Sequence, residues 1–127
     1  MEFTVCRGMG RGGVVENITL DGIQMIDIEK EAIIFTMGYV LDYRESEEKS
    51  KVIKAEDIPY FRNITLKNII CSSAEYGLKA EGIDLTAFEI VGDNDGKPVI
   101  DNIVIEDSVI VSHTDKKIEN CGEIRIL

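Results

Sequence analysis

Along the chain the aliphatic residues come in short, β-branched runs, and Gly, Asn, Asp or Lys stand between the runs. Branched side chains pack well on a pleated surface, so such runs predict strands, and no stretch holds a helical period long enough to compete. The runs also repeat. Glu16-Asn17-Ile18-Thr19-Leu20-Asp21-Gly22-Ile23, Arg62-Asn63-Ile64-Thr65-Leu66-Lys67-Asn68-Ile69 and Asp101-Asn102-Ile103-Val104-Ile105-Glu106-Asp107-Ser108 share a charged residue, then Asn-Ile, then an aliphatic residue two positions on. A second apolar stretch follows each anchor, at Ile23 to Ile28, Ile69 to Cys71 and Val109 to Val111. A third follows at Ile33, Leu78 and Ile118, at nearly constant distance from the anchoring Asn.

Three short strands per unit, with the unit repeated, predict an all-β solenoid of about three coils. One unit cannot bury its aliphatic face alone. Stacking the units sets Ile18, Ile64 and Ile103 in one column and Leu20, Leu66 and Ile105 in another. Asn17, Asn63 and Asn102 stand where the chain bends into a strand, so each amide is expected to bond its own turn or the Asn of the neighbouring coil. Two of these anchors, Asn17-Ile18-Thr19 and Asn63-Ile64-Thr65, also read as glycosylation sequons, but the repeat already accounts for them. The spacing between anchors varies because length is added after the third stretch, giving loops at about 40–59 and 85–99. Residues 1–13, with their glycines, are expected to be irregular, and 1–127 to form a single domain.

Composition narrows the partners. With 44% hydrophobic and 30% charged residues the chain reads as soluble and globular. It has no apolar run of membrane-spanning length and no signal peptide at Met1 to Gly13, where Arg7 and Arg11 stand among glycines. A formal charge of −10 argues against nucleic acid, whose binding rests on Lys and Arg. An acidic polysaccharide would also be repelled at long range, although screening over roughly 10 Å leaves room for a local basic patch. Cys6, Cys71 and Cys121 fit neither a disulfide framework nor a zinc ligand set and read as ordinary thiols. Gly92-Asp93-Asn94-Asp95-Gly96 lacks the ligand series of a calcium loop and reads as a turn; no metal or other cofactor is expected.

Three segments resemble glycoside hydrolase family 28, the polygalacturonases. Arg11-Gly12-Gly13-Val14-Val15-Glu16-Asn17-Ile18 resembles the segment that follows the family's active-site Arg-Ile-Lys motif. Glu31-Ala32-Ile33-Ile34-Phe35-Thr36-Met37-Gly38-Tyr39 resembles its strand ending in a cleft tyrosine, and Ile58-Pro59-Tyr60-Phe61-Arg62-Asn63-Ile64-Thr65 its re-entry into the next coil. The resemblance implies the C-terminal part of a right-handed, single-stranded parallel β-helix. It also implies a parent, usually secreted or periplasmic, that hydrolyses glycosidic bonds of pectic polysaccharide in the cell wall by inversion, and it makes Tyr39 the one substrate-binding position.

Inversion needs a carboxylic acid and a carboxylate far enough apart to admit a water. The family's Asn-Thr-Asp, Asp-Asp and Gly-His-Gly motifs are missing from these residues, so no catalytic residue is expected. Counting back from Asn17 sets Thr4-Val5-Cys6 where Arg-Ile-Lys should stand, and His113, in Ser112-His113-Thr114, reads as a surface residue. Asp27 with Glu29, and Glu47 with Glu48, read as solvated acidic positions. The leading expectation is therefore a polygalacturonase-like fragment inactive as this chain alone. The alternatives are a non-catalytic carbohydrate-binding module and a module that self-associates through an exposed β-helix end.

Overall fold

The computed structural model describes residues 2–6, 12–37 and 52–127. They form an all-β protein with strands β1 (Phe3–Cys6), β2 (Val14–Met25), β3 (Glu31–Thr36), β4 (Val52–Lys54), β5 (Tyr60–Glu81), β6 (Glu89–Val91), β7 (Ile100–Glu106), β8 (Val109–Glu119) and β9 (Ile124–Ile126). Short 3₁₀ turns occur at Ala55–Asp57 and Leu85–Ala87, and no α-helix occurs among the described residues.

The described strands pair in parallel, each repeat on the next. The first part of β5 lies between β2 and β7, and β7 carries β9. The last part of β5 lies between β3 and β8, and β3 carries β1. Register sets Ile18, Ile64, Ile103 and Ile124 opposite one another, and likewise Leu20, Leu66, Ile105 and Ile126. The middle members Ile64, Leu66 and Ile103 are fully buried, joined in the core by Phe35, Phe61, Ile33 and Ile69. Burying each such side chain contributes about 1.5–3 kcal/mol relative to leaving it in water, so the columns are the main source of cohesion.

The bends between runs have a local cause. Asn17, Asn63 and Asn102 hold φ of 59°, 56° and 53°, and the register neighbours Gly22, Asn68 and Asp107 hold 83°, 53° and 51°. Gly, Asn and Asp are the residues that enter this left-handed region at least cost. The anchoring amides also bond between repeats as expected: Nδ2 of Asn102 donates to Oδ1 of Asn63 at 2.7 Å, and Nδ2 of Asn63 to Oδ1 of Asn17 at 3.4 Å.

Three sequence expectations need correction. Residues 3–6 are not irregular: Phe3 and Val5 alternate inward over Ile33 and Phe35, and β1 pairs with β3 through them. The insertions are not plain loops, since β4 from the first and β6 from the second pair in parallel, with Ile53 opposite Ile90 and both packed against the core. Ile118 does not share the column of Ile33 and Leu78; Lys116 stands opposite Leu78 and Ile118 opposite Ala80. The corner between second and third runs is one residue shorter in each successive repeat, with an irregularity between Cys71 and Ala74.

Candidate functional site

The Thr4-Val5-Cys6 position belongs to the sheet formed by β1, β3, the end of β5 and the end of β8. Strand residues alternate between faces, so this sheet has an inner set led by Val5, Phe35 and Ala80 and an outer set that meets solvent. Two outer rows follow from register, Thr4–Ile34–Lys79–Lys117 and Cys6–Thr36–Glu81–Glu119. Glu31, Tyr76 and Thr114 form a third row at the edge of the same sheet.

At the two outer positions where a cationic clamp would stand, Thr4 and Cys6 carry no charge. Thr4 Oγ1 donates to Oε1 of Glu2 at 3.2 Å, and burial raises the Cys6 thiol above its ordinary pKa, which keeps it protonated at neutral pH. Along the same outer row the nearest cation, Lys79, lies two strands away, with Lys117 on the strand beyond. Lys79 Nζ is 3.5 Å from Glu31 Oε1, 3.7 Å from Glu81 Oε1 and 5.2 Å from the centre of the Tyr76 ring. Burial by itself would lower its pKa, but the carboxylates of Glu81 and Glu31 outweigh burial and the net movement is upward. Lys79 is thus held as an ammonium and cannot serve as a base.

This arrangement can present hydroxyl-binding acceptors and an aromatic surface. It does not form an inverting acid–base pair, because such a pair faces a gap that admits sugar and water, whereas here one ammonium occupies the space between Glu31 and Glu81. Other cations are similarly engaged: Arg62 lies 2.8 Å from Glu16, Arg125 2.9 Å from Glu123 and Lys117 3.5 Å from Glu119.

Just beyond the carboxyl ends of β5 and β8 lies an open groove of about 420 Å³. Ile83, Leu85, Ile90 and Cys121 line its apolar part, with Asp84 and Asn120 among its polar groups. Asp84 Oδ1 is already taken by the backbone N–H and hydroxyl of Thr86, at 3.1 and 2.6 Å. Desolvation pushes the Cys121 pKa up to about 11, and its thiol donates to the carbonyl of Glu119 at 3.1 Å. Cys121 is therefore a part-buried thiol that stays protonated at neutral pH.

No family model, curated protein or solved structure matches the chain.

The remaining sequence candidates separate clearly. Tyr39, Glu47, Glu48, Arg7 and Arg11 lie outside the described residues. His113 is exposed on β8. Asp27 holds a corner: at φ 51° its carboxylate accepts from the hydroxyls of Ser72 and Ser73 at 3.4 and 3.3 Å. Gly92 to Gly96 form a turn in which Asp93 Oδ1 accepts from the Asp95 N–H at 2.7 Å and Asn94 Oδ1 from the Gly96 N–H at 3.2 Å. Sequence reasoning missed the Glu31–Tyr76–Lys79–Glu81 cluster. Projecting the repeat onto polar positions would have revealed it, since aligning Ile33 with Leu78 sets Ile34 beside Lys79 and Thr36 beside Glu81.

Proposed function

We propose that this chain forms coils of a right-handed parallel β-helix of the polygalacturonase type, and that it contributes framework and polysaccharide contact without the acid–base step. The observation that carries the reading is the register itself. Successive repeats stack Ile on Ile and Leu on Leu while their anchoring asparagines bond to one another. Parallel strands joined by crossovers in one sheet are right-handed in the great majority of proteins, which supports that hand.

Pectic polysaccharide is the proposed ligand and the outer face around Tyr76 and Lys79 the proposed contact; Tyr39, which follows β3 in sequence, is a second proposed contact by resemblance. The acid–base pair belongs, on this reading, to coils that are not among these residues. Two experiments test it. Purified chain incubated with polygalacturonate is expected to release no reducing sugar above buffer; turnover would overturn the assignment of no catalytic pair. The DNA upstream of the Met1 codon is expected to encode the Asn-Thr-Asp and Asp-Asp motifs, in frame or shifted, and an unrelated neighbour there would sink the hydrolase kinship.

A further inference from the structure

The two ends of the stacked repeats differ in chemistry. At the β8 end two inward columns turn polar, Lys116 standing under Leu78 and Ser112 under Ala74, while Ile124 and Ile126 keep the columns of Ile103 and Ile105 aliphatic. Ser108 closes on itself, its hydroxyl accepting the Ile69 N–H at 3.1 Å and donating to the Glu106 carbonyl at 2.9 Å. The strand added below β7 is only the short β9. Inward-pointing lysine and short edge strands are the devices by which sheet edges refuse a partner.

The β2 end is aliphatic throughout. Val15, Ile18, Leu20 and Ile23 carry the columns of Phe61, Ile64, Leu66 and Ile69 upward as large aliphatic side chains, yet they are only partly buried, whereas those four residues directly beneath them are fully buried. Among the described residues β2 pairs through one edge only, with β5. The asparagine ladder adds a direction. Asn102 donates to Asn63 and Asn63 to Asn17, so the series ends at Asn17, whose Nδ2 finds no acceptor among the described residues.

We infer that the open edge of β2 is a docking site for one more parallel β-strand of the chain's own repeat pattern. Its inward aliphatic residues cover Ile18, Leu20 and Ile23, and its ladder residue offers a side-chain carbonyl to Asn17 Nδ2. Strand addition of this kind draws affinity from main-chain hydrogen bonds and specificity from alternate side chains. A second copy of the chain docked in register through its β8 end is a poor occupant, because Lys116 would be carried onto Phe3, which ends the Ile33–Leu78 column on the other side. The inference rests on the stacked-repeat part of the reading above and not on the pectinase kinship.

The test uses the full chain and a dye-labelled synthetic peptide of residues 60–70, which carries Asn63, Ile64, Leu66 and Ile69 at the repeat spacing. Fluorescence anisotropy is expected to show saturable binding. An Asn63→Leu peptide is expected to bind at least about twofold more weakly, as loss of one exposed hydrogen bond implies, while an Asn63→Asp peptide, which keeps an acceptor, retains binding. Absence of saturation at millimolar peptide would overturn the inference, as would indifference to Asn63→Leu. Light scattering that finds a dimer dissolved by Ile18→Lys would also overturn it, because the edge would then belong to a second copy. None of these outcomes bears on sugar release, so failure here leaves the polygalacturonate test standing.

Discussion

Asn63 is the residue whose replacement discriminates most sharply between a stacked repeat and an unrelated β arrangement. It sits in the middle of the ladder with φ 56°, donating to Asn17 and accepting from Asn102. Asn63→Ala loses both side-chain bonds and forces a Cβ-bearing residue without a local hydrogen bond into the left-handed region. The backbone cost is about 1–2 kcal/mol. Each ladder bond is solvent-exposed, so the low end of the usual range, about 0.5 kcal/mol, applies to each. The expected loss is therefore about 2–3 kcal/mol. Asn63→Gly loses the same bonds but not the backbone fit, and should cost about 1–1.5 kcal/mol. In an ordinary strand the order is reversed, glycine being worse than alanine by about 0.5–1 kcal/mol. Urea unfolding followed by far-UV circular dichroism reads the difference. With a slope of about 2 kcal/mol per M, a gap of about 1 kcal/mol separates the midpoints by about 0.5 M. An alanine variant as stable as the glycine variant, or more so, would refute the account of the bend.

Three further outcomes are expected. Ile64→Ala, at a fully buried position between Ile18 and Ile103, should cost about 3–4 kcal/mol, whereas Ile18→Ala, at the partly open end of the same column, should cost less than half as much; equal losses in urea titration would contradict the column. Cys121 titrates near 11 in the folded chain against an ordinary value of 9.0, so the unfolded state sheds its proton first and stability is lost as pH rises from about 9 to 11; a Cys121→Ala variant should show a flatter alkaline decline, and an unchanged slope would count against the buried thiol. Gly82→Ala should be strongly destabilising, because the added Cβ meets the carbonyl oxygen of Asn120 and a Val99 methyl; a thermal midpoint within a degree of the parent would show that the backbones do not approach so closely.

The parts of the fold that repeat were legible in the sequence, because stacking demands like residues at like positions. Asn17, Asn63 and Asn102 marked the bends and Ile18, Ile64 and Ile103 the column, and register bears out both. Ile118 was misaligned because counting from the anchor assumes corners of equal length, and these shorten from repeat to repeat. β1 was hidden by neighbouring glycines, although Phe3 and Val5 already alternated. β4 and β6 were hidden by brevity, since three residues carry no periodicity and their pairing depends on two insertions meeting in space. The Lys79 cluster escaped notice for a related reason: Glu31 and Lys79 are distant in the chain, and only register brings them together. Thr4 and Cys6, read from the sequence as uncharged, stand outward on β1, while the Lys79 cluster emerges only when the repeats are aligned residue by residue.

Methyl-labelled NMR of the isoleucines tests the stacking most directly. Neighbouring parallel strands lie about 4.8 Å apart, so the account predicts methyl cross-peaks between Ile18 and Ile64, between Ile64 and Ile103 and between Ile103 and Ile124, with none between Ile18 and Ile103 two layers apart. A spectrum in which Ile64 contacts neither Ile18 nor Ile103 would contradict it.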